Sequence, residues 1–291
     1  MKKNYLTFFI NKDKKGEMLQ TFLRKNLKES LTLKTTKQIL EKGFVYVNDK
    51  IERYGSYKLK ANDKIKVFKN YQDLLIKKTL KKINILFEDE YFLVIDKPIN
   101  FICTDKNIHN FFKKKYTLIH RLDKDTTGCL LIAKNKKVKE KFIDLFKNHK
   151  IDKDYIAIVD KILKRDELKI EKKIDLLKKI NNQSKYKVSN SGKYALTIVK
   201  VLKRYTDRTL VLLKPITGRT HQIRVHLNYI KHPILADTLY AKSFFSKRIA
   251  NRLMLHSYKI SFLHPYTHKK ILVSSKPLKD IIEICPHAKD L

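Results

Sequence analysis

Apolar residues recur along the chain with two periods, and each change of period marks an element. Over residues 17–28 the positions Met18, Leu19, Phe22, Leu23 and Leu27 fall at helical spacing, and residues 35–42 form a second short helix that Gly43 stops. The period then drops to two, with Val45 and Val47 alternating with Phe44 and Tyr46 up to the turn signal Asn48-Asp49, and a further strand is predicted over residues 63–68. Residues 69–82 are polar, rich in lysine and free of Gly and Pro, the composition of a linker. Beyond them strands are predicted over residues 83–87, 92–95, 130–133, 155–159, 195–201, 209–213 and 271–273. One amphipathic helix, residues 136–148, carries Val138, Phe142, Leu145 and Phe146 on a single face. Strands and helices do not alternate in regular βαβ order, so an α+β fold is expected rather than a doubly wound one. The lysine clusters over residues 161–185 read as solvated loop or insertion surface.

A chain of 291 residues is long enough for two domains at about 150 residues each. The expected division is a small α/β module over residues 1–68, a basic linker over 69–82 and a second domain over 83–291. Lys and Arg number 66 against 29 Asp and Glu, a formal net charge of +37, which makes a polyanion the first partner to consider. With 43% hydrophobic residues, 15 Phe and 15 Tyr, the charge decorates something folded rather than a disordered tail. Lysines interrupt every apolar run well short of the roughly 18 residues of a membrane span, and no small-residue cleavage site follows the brief apolar patch at the start. A cytoplasmic chain without membrane contact is expected. The three cysteines, Cys103, Cys129 and Cys285, are far apart, which argues for free thiols rather than a disulfide framework or a thiolate zinc site.

Only 10 of the 66 basic residues are Arg, so an Arg draws attention as a planar, bidentate fork where lysine would have sufficed as a charge. Arg121, Arg219, Arg224 and Arg252 stand out in this way. Arg121 lies in His120-Arg-Leu-Asp-Lys-Asp-Thr-Thr-Gly128, which runs into the strand LLIA and wedges Asp123 between Arg and Lys. Taken alone, that segment is also an ordinary polar turn in which an Asp caps a backbone amide. The second segment, residues 213–227, opens with a Pro/Gly turn and then reads helically, which puts Arg219, Thr220 and Gln222 near a helix start. His120, His221, His226 and His256 lack the His-x-x-x-His spacing and paired carboxylates of a metal site, so structural or RNA-contacting histidines and no metal are expected. No Gly-rich phosphate loop occurs, which weakens ATPase and Rossmann methyltransferase readings.

HRLDKDTTGCLLIAK and TGRTHQIRVHL resemble two sequence blocks of the RluA-type pseudouridine synthases. ILFEDEYFLVIDKP (residues 85–98), Lys153-Asp-Tyr155, residues 192–197, His232-Pro-Ile234, Asp237, Tyr240, Leu255-His256 and His264-Pro265 are similar to further family positions in the same order. Residues 43–48 are similar to the ribosomal-protein-like α-L RNA-binding domain that precedes many of these enzymes. The resemblance implies a catalytic domain built on a mixed, largely antiparallel sheet with flanking helices. It implies isomerisation of uridine to pseudouridine in RNA, with no cofactor and no metal. Large-subunit ribosomal RNA is the expected substrate and a monomer the expected state, while a transfer-RNA enzyme of the same family and a non-catalytic ribosome-assembly factor remain as alternatives. By the same resemblance Asp123 is the essential carboxylate, Arg219 its expected partner, and Tyr155 the ring that stacks on uracil. Arg121 would enter the space vacated by the flipped base, with His120, Thr126 and Arg224 among the RNA-contacting residues and Leu255 at the pocket wall. The chain departs from the family pattern at Thr127, where Ser is usual, at Asn100, Asp160, Ala236 and Ala241, where Gly is usual, and at Met18 and Gln20, where the family has Arg and Asp.

Overall fold

The protein is described from a computed structural model covering residues 5–27, 31–41, 43–68, 83–180, 183–241, 250 and 252–291. The predicted linker, residues 69–82, lies outside the described residues. Contacts gather the chain into two compact units, Met1–Lys82 and Ile83–Leu291.

In the first unit the helical spacing gives α1 (Leu19–Asn26) and α2 (Leu33–Glu41), and the alternating segments give β2 (Val45–Val47), β3 (Lys50–Ile51) and β4 (Lys64–Phe68). Asn48 and Asp49 both take positive φ, 48° and 66°, the backbone of a tight hairpin turn, which is why this pair marks the strand boundary. The short apolar patch at the start becomes β1 (Tyr5–Phe9), paired antiparallel to β4, and the sheet order is β1-β4-β2-β3. Leu19, Phe22, Leu23, Ile39 and Leu40 of the helices pack on Val45, Ile65 and Val67 of the sheet.

The second unit is organised by one ten-stranded sheet. Its strands are β5 (Ile85–Glu88), β6 (Phe92–Lys97), β7 (Thr117–Leu118), β8 (Thr127–Ala133), β9 (Ile151–Asp160) and β10 (Glu167–Glu171), followed by β13 (Leu196–Arg204), β14 (Arg208–Pro215), β15 (Leu255–Leu263) and β16 (Lys270–Ser274). The order is β10-β13-β14-β9-β15-β8-β6-β5, with β16 on β15 and β7 on β8. Only β15 and β8 run parallel, so the sheet is mixed and largely antiparallel, as the sequence implied. Among the described residues three helices support it: α3 (Asp105–Phe112), α4 (Lys136–Lys147) and α5 (Gln222–Tyr229). A fourth, α6 (Lys279–Ile284), follows near the chain end. The apolar face read from residues 136–148 packs Val138 and Phe142 on Phe92, Leu131 and Phe262. Residues 161–185 are not loop surface: they hold the edge strand β10 and most of a two-stranded ribbon, β11 (Ile174–Ile180) with β12 (Gln183–Val188). Their lysines mask the strand signal because an edge strand and a ribbon are wet on at least one face.

One row of the sheet register matters most. Lys97 pairs with Gly128, Gly128 with Ser257, Ser257 with Tyr155 and Tyr155 with Leu213, so these residues lie side by side on one face across five strands. The two small members, Gly128 and Ser257, separate Lys97 from Tyr155 in this row. Gly128 takes φ +101°, and a Cβ there would lie 2.2 Å from the carbonyl oxygen of Ser257. Gly128→Ala is therefore expected to cost about 3 kcal/mol or more, from overpacking and backbone strain together. An unchanged urea midpoint would contradict this close approach.

Candidate active site

The segment between β7 and β8 is anchored at both of its ends. His120 Nε2 accepts the Leu131 amide at 3.0 Å, which commits the polar edge of the ring to β8. Burial, helped by the Lys153 charge, holds His120 down to about 3, so it stays neutral and structural. At the other end Thr126 is buried and its amide donates to the Asp123 carbonyl at 3.1 Å, closing the turn. Both residues thus help to shape the loop. Arg121 between them is exposed and makes no ion pair among the described residues. Underneath, the fully buried Lys97 donates to the carbonyls of Pro98 (2.9 Å) and Lys124 (3.0 Å) and so grips the loop one residue past Asp123. Burial pulls its ammonium down to about 8, against the pull of Cys103, Asp125 and Asp123. Thr127 continues the anchoring: its hydroxyl bonds His256 Nδ1 at 2.8 Å, and His256 Nε2 bonds the Ser275 carbonyl at 2.9 Å.

The partner of Asp123 is Arg224 rather than Arg219. Arg224 Nη1 donates to Asp123 Oδ2 at 2.8 Å, while its Nε and Nη2 reach both oxygens of Asp237 at 2.8 and 2.9 Å. Arg219 is exposed and spends its Nε on the Tyr194 carbonyl at 2.9 Å. The difference comes from where the helix begins. Gln222, 4% exposed, makes four hydrogen bonds, to Thr217, the Arg219 amide, the Leu196 carbonyl and Thr197, and these pin the start of α5 to β13. His221 just before it takes φ 55°, which turns the chain so that Arg224 points inward from the first helical turn. Burial opposes the Arg224 charge, but Asp237 and then Asp123 more than restore it and push its pKa up. The guanidinium also lies 5.1 Å from the centre of the Tyr240 ring.

Asp237 is buried to 1% and accepts, besides Arg224, the amides of Leu239 and Tyr240. Asp123 keeps a quarter of its side chain exposed, with Oδ1 facing His221 Nε2 at 3.7 Å. A carboxylate is thus presented at an opening, with one oxygen clamped by a buried cation that is itself clamped from behind. Tyr155 is 8% exposed, and burial raises its phenol further above the ordinary tyrosine range than the Ser257 contact can offset. It is a protonated ring at neutral pH. Leu255 is buried on β15 two residues from Ser257, on the face that carries Tyr155. Of the other residues singled out in the sequence, Arg252 is a structural pair with Asp280 of α6, and His226 bonds Thr197 and the Lys172 carbonyl. The cysteines are buried free thiols. Two departures from the family pattern take the backbone that favours glycine, Asn100 at φ 65° and Ala236 at φ 55° beside Asp237. Sequence reasoning missed Asp237, Tyr240 and His221 as one network around Arg224, although all are polar residues in the segments already singled out.

The site is thus a carboxylate on a loop, held by an internal arginine and near a buried tyrosine. A family profile described as RNA pseudouridylate synthase matches residues 91–229, which include Asp123, Tyr155 and Arg224. The chain belongs to this family and is an RNA pseudouridine synthase. It is 34% identical over 287 residues to the ribosomal large subunit pseudouridine synthase C of Buchnera aphidicola subsp. Schizaphis graminum, covering 90% of this chain and 91% of the relative. Its identity to the Escherichia coli K12 protein of the same name is 31%, covering 95% and 94% of the two chains. Among solved structures it is similar to human RNA Pseudouridylate Synthase Domain Containing 1, with a TM-score of 0.62 and 25% identity over 72% of this chain and 89% of that one. Human RNA Pseudouridylate Synthase Domain Containing 4 shares the fold, with a TM-score of 0.58 and 23% identity over 76% and 98%. Among the described residues no helix is long and apolar enough to cross a membrane.

Proposed function

We propose that the protein isomerises uridine to pseudouridine in ribosomal RNA of the large subunit, with Asp123 as the carboxylate that acts at the flipped nucleotide. The observation that carries this reading is the Asp123 carboxylate itself, a quarter exposed, with one oxygen fixed on Arg224 and the other facing His221. The reaction breaks the bond from ribose to uracil nitrogen, turns the base over and rejoins it through a ring carbon, which loses its proton while the nitrogen regains one. Asp123 is placed to meet the sugar or the base at that step. Tyr155, a largely buried ring with a polar tip, is suited to stack on uracil and to assist proton movement. Ribosomal RNA is favoured by the names of the relatives, which match over more than nine tenths of their length. The net charge of +37 supplies the general attraction to a polyanion. The first unit, with its helices, small sheet and many lysines, fits an additional RNA-binding module. Its footprint rests on those lysines, since Met18 and Gln20 contact each other at 3.6 Å where the family has a charged pair.

The test is to give the purified protein unmodified ribosomal RNA, ribosomal particles and transfer RNA, and to map pseudouridine by carbodiimide adducts that stop reverse transcription. A new stop in large-subunit RNA is expected. A stop in transfer RNA alone overturns the substrate, and none on any RNA despite tight binding overturns catalysis in favour of an assembly factor. In the same assay Arg121→Ala is expected to slow modification about 100-fold. Filling the space of a flipped base offsets an unstacking cost of a few kcal/mol, while the exposed side chain adds little to binding. Equal losses in rate and affinity would contradict that role.

A further inference from the structure

The proton on the His221 ring can be assigned from its neighbours. The Tyr186 amide donates to Tyr240 Oη at 3.0 Å, so that oxygen already serves as acceptor and its own hydrogen is free to donate. Its second partner is His221 Nδ1 at 3.0 Å, which is therefore the acceptor. Burial pushes the Tyr240 phenol up to about 12, so it keeps the proton it donates. The remaining proton of a neutral His221 sits on Nε2, which faces Asp123 Oδ1 at 3.7 Å, just outside hydrogen-bond range. The rings of Tyr186 and Tyr240 meet the imidazole edge-on at 5.6 and 5.8 Å and fix its plane.

We propose that His221 is a positioning residue for Asp123: with its tautomer set by Tyr240, it presents an Nε2 proton to Oδ1, the carboxylate oxygen that Arg224 leaves open. A shift of less than 1 Å on RNA binding closes the contact. Oδ1 then has one lone pair held by His221 and the other directed at the nucleotide, so the carboxylate no longer swings about the Arg224 bond. The chain of contacts begins on β12, in the lysine-bearing ribbon, so RNA that shifts the ribbon also shifts Tyr240 and His221. The charged and titratable groups around His221 are Asp123 from the loop, Arg224 from α5, Asp237 and Tyr240 from the segment after α5, and Tyr186 and Lys185 from β12. Burial lowers its pKa most, Asp123 raises it, Arg224 lowers it and Asp237 raises it, with a net downward shift. This agrees with a neutral donor at working pH.

The inference rests on Asp123 as the reacting carboxylate, so Asp123→Asn is assayed beside His221→Asn, His221→Gln and Tyr240→Phe in the full-length protein. The substrate is the ribosomal RNA that the wild type modifies. The Asn side chain reaches only the Nδ1 position and keeps the Tyr240 contact, whereas Gln places an amide N–H near Nε2. His221→Asn is expected to lose about 10- to 100-fold in kcat, the effect of one donor to a charged acceptor, with KM nearly unchanged, and His221→Gln to recover most of that loss. Tyr240→Phe removes the donor that keeps Nδ1 unprotonated. His221 then takes a second proton at higher pH, its charge ties up Asp123, and the acid limb of the kcat profile moves up by about one pH unit. Asn and Gln variants that behave alike, or a Tyr240→Phe profile that overlays the wild type, overturn the inference. Should His221→Asn fail to fold, the Tyr240→Phe profile alone decides it. Activity surviving in Asp123→Asn overturns instead the assignment of Asp123.

Discussion

Asp123→Asn is expected to lower kcat by at least about 10⁴-fold, some 5 kcal/mol of transition-state stabilisation, while the protein stays folded and binds RNA. The substitution keeps the shape and one oxygen for Arg224 but removes the negative charge that every role assigned to this residue requires. Stability survives because Asp123 is only one of two partners. Arg224 retains both hydrogen bonds to Asp237, and a pair with a quarter-exposed carboxylate contributes at most about 1 kcal/mol. The measurement pairs turnover with RNA affinity and a urea midpoint. Near-wild-type turnover would remove Asp123 from the chemistry, and loss of affinity in step with turnover would make it a binding residue.

The second large effect belongs to Arg224, and there stability and activity fall together. Arg224→Met leaves Asp237, with a side chain 0% exposed, holding a charge against two backbone amides among the described residues. Removing one member of a buried pair costs about 3–5 kcal/mol. The double substitution Arg224→Met with Asp237→Asn separates the two losses, because it removes both buried charges. It is expected to recover most of the stability while turnover stays low, since Asp123 then has nothing to fix its plane. Recovery of turnover in the double variant would show that Arg224 acts only through folding. Arg224→Lys belongs in the same series: an ammonium is a point charge and cannot bridge Asp237 and Asp123 with three hydrogen bonds in one plane, so about a 100-fold loss is expected.

The strands, the helix over residues 136–148 and the family were legible because each rests on local signals: period, turn residues, and two long motifs in order. Asp123 stands out for the same reason, as the carboxylate of the first of those motifs. The identity of its partner was not legible, because TGRTHQIR offers two arginines and the choice between them depends on where the helix starts. Residues Gln222–Leu227 are all buried, so no amphipathic stripe shows which way Arg224 points, and the decisive element is the left-handed His221. A clue was present, since Arg224 sits between Ile223 and Val225 whereas Arg219 follows Gly218 in a turn. For His120 and Thr126 the loop was legible, but the hydrogen bonds by which they shape it are tertiary and were not. In residues 161–185 the alternation Leu168, Ile170 and Ile174 was there to be read, diluted by lysines on the wet faces.

The order of the central strands bears on how the protein is made. β15 lies between β9 and β8 yet is among the last strands in the chain, and it supplies Ser257, the link between Gly128 and Tyr155. While a ribosome is still synthesising the chain, β8 and β9 emerge about a hundred residues before the strand that joins them, and each waits with an open edge. No nascent fragment ending before Ser257 holds the full row from Lys97 to Leu213. The contacts that complete it span long stretches of sequence, which places closure of the sheet late and makes it slow. Catalytic competence thus arrives as a single late event in biosynthesis, and a truncated product is both inactive and exposed to aggregation.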